Sequence, residues 1–125
     1  MKITLSLLAL SLVLTACATT HDYFSLQSTP MQPSVWTGQY NQLVATVKIN
    51  SDGTGVICQD ITGKAKLMSV KRVDDRLYSQ DGTYWKIQNE MPDSMRLNYA
   101  IGGGYSMQKD DDMKLITPAC AKELK

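Results

Sequence analysis

Residues 40–53 read YNQLVATVKINSDG and combine an alternating apolar pattern with a tight-turn signal. Four apolar residues fall on one side of an extended chain: Leu43, Ala45, Val47 and Ile49. Alternation of this kind is typical of a strand with one buried face. The Asp52-Gly53 pair supplies the positive φ that a two-residue hairpin turn needs. The stretch therefore predicts a strand over residues 40–49 that is followed by a hairpin.

The same pattern recurs along the rest of the chain. Runs rich in Val, Ile, Tyr, Thr and Leu lie between turn residues about 8–12 positions apart, which is typical of antiparallel all-β domains. The predicted strands are residues 40–49, 54–60, 64–73, 76–79, 83–88, 95–99, 105–109 and 113–116. About eight strands joined by tight turns predict a small antiparallel meander that forms a closed or partly open β-barrel, with a two-sheet sandwich as the alternative. One helical turn is expected over residues 119–124.

The N-terminus has the order of a bacterial export signal. Lys2 is followed by an apolar run over residues 3–14, which is shorter than the roughly 20 residues that a transmembrane helix needs. Residues 14–17 read LTAC and resemble the lipobox of bacterial lipoproteins. This resemblance implies that residues 1–16 are a signal peptide and that Cys17 becomes the acylated first residue of the mature protein.

Acylation of Cys17 implies a membrane anchor and a cellular location. Acyl chains such as palmitate on Cys17 make membrane lipid the partner of the N-terminus, and more than one chain is needed for a stable anchor. Ala18 follows the cysteine, which in lipoproteins implies the outer membrane, while the side of that membrane stays open. The alternative is an ordinary secretory leader that leaves Cys17 as a thiol.

Three cysteines occur in the chain. With Cys17 assigned to lipid, Cys58 and Cys120 remain as an even pair in an oxidising compartment, and we expect a disulfide between them. Two free, buried thiols are the alternative, because spacing alone does not show that the two Cα atoms approach each other.

Composition restricts the domain organisation and the classes of partner. Residues 17–34 are rich in Ser, Thr, Gln and Pro and predict a flexible tether, with a short strand or turn around Tyr23 and Phe24 as the alternative there. Residues 35–125 are the size of one small barrel domain. The formal net charge of the chain is only +1. We therefore expect no nucleic-acid partner.

The sequence shows no catalytic or metal constellation. His21 is the sole histidine and falls in the predicted tether, where a general base cannot be held rigidly against a nucleophile. The Asp run at residues 110–112 lacks the spacing of a calcium site and predicts a solvated turn. Residues 102–104 are three glycines that predict a bend rather than a phosphate cradle. We expect no enzyme activity, no metal site and no cofactor.

Most of the aromatic residues are expected to fill the core, with a binding surface as the alternative. The predicted barrel domain contains seven aromatic residues: Trp36, Tyr40, Tyr78, Tyr84, Trp85, Tyr99 and Tyr105. The motifs WTGQY at residues 36–40, DGTG at residues 52–55 and PAC at residues 118–120 resemble those of small Gram-negative outer-membrane lipoproteins. Lipocalins offer a looser likeness, because their Gly-x-Trp motif has the reverse order of residues 36–38.

A second resemblance suggests an interaction loop. Residues 101–105, IGGGY, keep the Gly and Tyr of the Ser-Gly-x-x-Tyr pattern found in the membrane-bound inhibitors of C-type lysozyme, but Ile101 stands where those inhibitors have serine. This likeness makes a candidate interaction loop of four residues: Gly102, Gly103, Gly104 and Tyr105.

The leading functional hypothesis is a non-enzymatic outer-membrane lipoprotein whose barrel is a binding or interaction module in the envelope. Its partner is unknown, and a protein of the envelope is one candidate. A lysozyme inhibitor is the first alternative, and a barrel that holds a small apolar ligand is the second.

Overall fold

The computed structural model describes residues 22–125 as an eight-stranded antiparallel barrel whose strands follow sequence order and close between the first and the last. A short 3₁₀ helix, Tyr23–Ser25, precedes the barrel. The barrel elements are β1 (Ser34–Tyr40), β2 (Leu43–Ile49), β3 (Thr54–Ile61), β4 (Lys64–Val73), β5 (Arg76–Ser79), β6 (Tyr84–Gln88), β7 (Ser94–Tyr99), β8 (Gly104–Lys109) and α1 (Pro118–Leu124). The all-β class and the closed barrel are confirmed. The predicted leader, Cys17 and His21 lie outside the described residues.

The predicted number of strands, eight, was right, but the first and the last of the predicted strands were wrong. The predicted strand over residues 40–49 contains a turn at Asn41, whose φ of 53° ends β1 and starts β2. β1 itself was missed, because Gly38 and its polar neighbours hide the alternation. Residues 113–116 were predicted as a strand and form none. The last strand of the barrel is therefore β8, and β1 is its partner.

Gly38 allows the barrel to close. It pairs with Met107 in the seam between β1 and β8. A Cβ atom at this position would lie 2.2 Å from the Ser106 carbonyl oxygen and 2.4 Å from Met107 Sδ. Only glycine leaves the space that Met107 fills, so the seam depends on the missing side chain.

Asp110 is buried and structural, which corrects the prediction of a solvated turn. The residue is only 4% exposed. Its Oδ1 accepts from the backbone N–H of Lys114 at 2.7 Å, and its Oδ2 accepts from the Thr37 hydroxyl at 2.8 Å. The backbone N–H of Asp110 also donates to the Val35 carbonyl at 2.7 Å. The carboxylate therefore holds the chain after β8 as a loop against β1, which explains the missing strand.

The C-terminal helix is cross-linked to β3. The Thr117 hydroxyl accepts from the Cys120 backbone N–H at the start of α1, and Pro118 occupies the first turn. Cys58 and Cys120 form a disulfide with their Cα atoms 5.8 Å apart, as predicted. The bond ties the chain end to the outer face of the barrel.

Residues 22–33, which were predicted as part of the flexible tether, are docked on the barrel. The Thr29 N–H donates to the Arg72 carbonyl at 2.8 Å, and the Met31 N–H donates to the Ser51 carbonyl at 2.9 Å. Lys71 Nζ donates to the Tyr23 carbonyl at 2.9 Å. We call residues 22–33 the docked segment, since its backbone bonds replace the free spacer that composition suggested.

The barrel has two ends with different surroundings. The docked segment contacts the end that carries the turns at residues 50–53 and 74–75, and Met31 packs there against the core. The turns at residues 80–83 and 100–103 lie at the opposite end. Within residues 22–125, no helix is long and apolar enough to cross a membrane.

We predict that Gly38→Ala lowers the free energy of unfolding by about 2 kcal/mol or more, because the new methyl group overpacks the closing seam. Gln39→Ala, at the neighbouring exposed position, should change it by less than about 0.5 kcal/mol. Urea unfolding of both variants measures the difference, and equal stabilities would show that the seam tolerates a side chain.

We predict that replacing both Cys58 and Cys120 by serine lowers the free energy of unfolding. The bond closes a loop with a sequence separation of 62 residues. A loop of this length is expected to contribute about 4 kcal/mol through the entropy of the unfolded chain. Non-reducing mass spectrometry should find neither cysteine alkylatable in the folded protein, and two labelled thiols would refute the bond.

Candidate functional site

The structure divides the predicted interaction loop between the surface and the interior. Gly102 and Gly103 lie exposed in the turn between β7 and β8, whereas Gly104 and Tyr105 begin β8 and are buried. Ile101 is 98% exposed at the tip of this turn. The accessible part of the loop therefore consists of Ile101 and two glycines, without the Tyr105 side chain.

Tyr105 belongs to a hydrogen-bonded tyrosine cluster inside this end of the barrel. Gln59 Nε2 donates to the Tyr105 hydroxyl at 2.9 Å and to the Tyr99 hydroxyl at 3.3 Å. The Tyr40 ring centroid lies 6.0 Å from the centroids of both tyrosine rings. Burial, together with the Tyr99 hydroxyl, raises the pKa of Tyr105, so its hydroxyl stays protonated.

Gly103 fits over this cluster because it has no side chain. A Cβ atom there would lie 2.3 Å from the Tyr40 hydroxyl, and its φ of 76° is in the left-handed region. The glycines thus let the turn between β7 and β8 close over the tyrosines.

Large side chains fill the barrel axis. All eight strands contribute to one core cluster of buried residues: Trp36, Ala45, Val47, Ile49, Ile57, Met68, Val70, Leu77, Trp85, Ile87, Met95, Leu97, Tyr105 and Met107. Trp85 and Leu97 are fully buried. An eight-stranded barrel is just wide enough to be filled by side chains or to hold one small ligand, and here side chains occupy it. Of the seven aromatics expected to fill the core, Trp36, Trp85 and Tyr105 belong to this cluster, and the partly buried Tyr40 and Tyr99 pack against it. Tyr78 and Tyr84 lie outside the cluster.

A basic groove of about 540 Å³ crosses the outer face of β5, β6 and β7. We call it the cationic groove. Its lining contains no carboxylate and comprises Arg76, Tyr84, Lys86, Gln88, Arg96, Asn98, Tyr99, Ala100, Gly102 and Gly103. Arg76 and Lys86 are directly paired across β5 and β6, and Arg96 follows on β7. Three neighbouring strands therefore place their cations on one surface.

Local contacts hold the two arginines of the groove in position. The Arg76 guanidinium lies 4.9 Å from the Tyr84 ring centroid and donates to the Tyr78 hydroxyl at 3.5 Å. This hydroxyl is the main cause that raises the pKa of Arg76. Arg96 Nη1 donates to the Ser106 hydroxyl at 2.8 Å.

An apolar depression of about 340 Å³ adjoins the groove. We call it the apolar shelf. It is lined by Gly82, Thr83, Tyr84, Tyr99, Ala100 and Ile101. Tyr84, Tyr99 and Ala100 line both depressions. The two therefore form one continuous surface with a charged part and an apolar part.

A larger depression of about 650 Å³ lies at the end that holds the docked segment. Its main cation, Arg72, is already paired with Glu90 at 2.7 Å. Lys109 lies 3.6 Å from the Asp111 carboxylate. The cationic groove has no such internal neutralisation, which makes it the stronger candidate for binding a charged ligand.

Sequence reasoning missed the groove, although a signal was present. Arg76, Lys86 and Arg96 recur at intervals of ten residues. The interval matches one hairpin of this barrel, but only the register shows that the side chains meet. Within residues 22–125, no cluster of three or more metal-binding side chains occurs.

Comparison with known proteins identifies one family. The family model described as "Bacterial lipocalin LPS transport optimiser YedD" matches residues 20–124, which include the docked segment, the barrel and α1. No curated protein and no solved structure matches the chain.

We predict that the native barrel shows no saturable binding of a benzene-sized apolar probe, because its axis is filled. Leu97→Ala should create a cavity, bind such a probe and lose about 2–5 kcal/mol of stability. Ile61→Ala, at an exposed position, serves as the control and should bind none. Ligand-observed NMR measures binding, and saturable binding by the native protein would restore the small-ligand hypothesis.

Proposed function

The chain belongs to the bacterial lipocalin family described as LPS transport optimiser YedD, and on this premise we propose that it assists LPS transport in the bacterial envelope. The observation that carries the proposal is the extent of the match, which runs over residues 20–124 and so includes the cationic groove. The protein acts in this proposal as a non-enzymatic lipoprotein whose outer barrel surface makes the functional contacts.

The filled barrel supports a role for the outer surface. Interior residues such as Trp85 and Leu97 are fully buried, whereas the groove and the shelf are open to solvent. A partner or a lipid therefore reaches the outer face of β5 to β7 without any rearrangement of the barrel. This outer face is therefore where we expect the functional contact to be made.

Acylation of Cys17 and an outer-membrane location are part of the proposal. Four residues, 18–21, lie between Cys17 and the docked segment that starts at Asp22, so five Cα–Cα steps join the two. A chain of that length spans at most about 18 Å. An acylated Cys17 would thus keep the barrel close to the membrane surface that it serves.

The lysozyme-inhibitor alternative receives less support from the loop. Ile101 presents an apolar side chain where those inhibitors have serine, and it is 98% exposed. Tyr105 is fully buried in the tyrosine cluster. The loop thus exposes neither of the two hydroxyls of the Ser-Gly-x-x-Tyr pattern.

We predict that deleting the gene increases sensitivity to large apolar antibiotics in a strain in which LPS transport is limiting, because less LPS reaches the cell surface. The native chain should restore resistance, and Cys17→Ser should restore less because it loses the anchor. Antibiotic sensitivity and surface LPS are the measurements, and Lys48→Gln is the matched control.

Unchanged sensitivity and surface LPS after deletion would contradict the proposal. Inhibition of a C-type lysozyme by micromolar protein would instead favour the lysozyme-inhibitor alternative.

A further inference from the structure

The cationic groove carries positive charge that the protein does not neutralise. Within residues 22–125, no carboxylate lies within ion-pair distance of Arg76, Lys86 or Arg96, although Asp75 exerts a favourable charge effect on Arg76. Like charges directly opposite on neighbouring strands are unfavourable in a sheet, and Arg76 and Lys86 are paired in this way. An anion placed between them would remove this repulsion.

The side chains of the groove are suited to binding a phosphate group. Guanidinium groups bind phosphate through two parallel N–H donors, and lysine binds it as a point charge. Tyr84 and Tyr78 position the Arg76 side chain, and Ser106 positions Arg96. Holding these side chains in place before binding lowers the entropy cost of recognising a phosphate.

The adjoining apolar shelf distinguishes a lipid from a free phosphate ion. Tyr84 and Ala100 line both the groove and the shelf, and Ile101 extends from the shelf into solvent. A molecule that bears phosphate next to an acyl chain would contact both parts at once. Inorganic phosphate would use only the charged part.

We propose that the cationic groove and the apolar shelf together bind LPS, with a phosphate of its headgroup at Arg76, Lys86 and Arg96 and an acyl chain against Ile101. The choice of LPS among anionic amphiphiles rests on the proposed function. The requirement for an anionic headgroup beside an apolar chain rests on the groove and shelf themselves.

Site-specific photo-crosslinking of the full chain in intact cells tests this proposal. The photoreactive residue p-benzoylphenylalanine is introduced at Gln88 in the groove and at Ala100 on the shelf, and adducts are detected with an antibody against LPS. Lys48 and Ile61, exposed elsewhere on the barrel, are the matched control positions. We expect LPS adducts at Gln88 and Ala100 only. Equal yields at the control positions, or adducts to a protein alone, would overturn the proposal.

Charge removal tests whether the cations recognise the lipid. Lys86→Gln combined with Arg96→Gln should lower the adduct yield at Gln88 about fivefold or more. Each ion pair with a phosphate at the surface contributes modestly to affinity, and the two losses together give a decrease of this size. Lys48→Gln should leave it unchanged. Protein level and the intact Cys58–Cys120 bond on non-reducing gels show that each variant is folded. An unchanged yield in a folded double variant would overturn the proposal.

Binding by the purified full-length lipoprotein separates the sources of phosphate. NMR titrations in detergent micelles compare lipid A, dephosphorylated lipid A and inorganic phosphate, with groove and shelf resonances as the readout. We expect lipid A to shift both sets of resonances and the other two to act more weakly. Inorganic phosphate that binds as tightly as lipid A would overturn the lipid assignment.

The outcomes also separate this inference from the proposed function. If deletion reduces surface LPS while no groove position forms an LPS adduct, the groove proposal fails alone. If adducts form but deletion has no effect on LPS transport, the proposed function fails and the binding site remains.

Discussion

Closure of the sheet between β1 and β8 is the constraint on which the other features depend. An open eight-stranded meander would expose two unpaired edges. Closure joins these edges and forces fourteen buried side chains into one interior. Within the closed sheet, the registers of β5, β6 and β7 then place the three cations together on the outer face.

The outer face of the barrel is used unequally. Around β1 to β3 it is covered by the loop held at Asp110 and by the cross-linked helix α1, which bury Thr37, Thr46 and Cys58. Around β5 to β7 it is uncovered and basic. Structural contacts are therefore concentrated on one side of the barrel, and the opposite side is left accessible for binding.

Local signals predicted much of the fold. The alternation of apolar residues and the Asp-Gly turns predicted most strands. The two cysteines that remain once Cys17 is assigned to lipid predicted the disulfide. The missed features depend on contacts between residues distant in sequence. The three consecutive Asp residues predict a solvated Asp110. Its burial follows from contacts with Thr37 and with the backbone after β8. Likewise, the cationic groove requires the register of three strands, which no single segment of the chain encodes.

The Cys58–Cys120 bond has a consequence for the order of events in an exported chain. Cytoplasmic thiols are kept reduced, so a newly made chain would hold α1 against β3 only through non-covalent contacts. The cross-link would form after the chain enters an oxidising compartment. In a chain that is exported as proposed, a precursor without the bond would unfold more easily, which would suit passage across a membrane, and the barrel would gain its full stability only afterwards. Formation of the disulfide would then make the full stability of the barrel depend on export to an oxidising compartment.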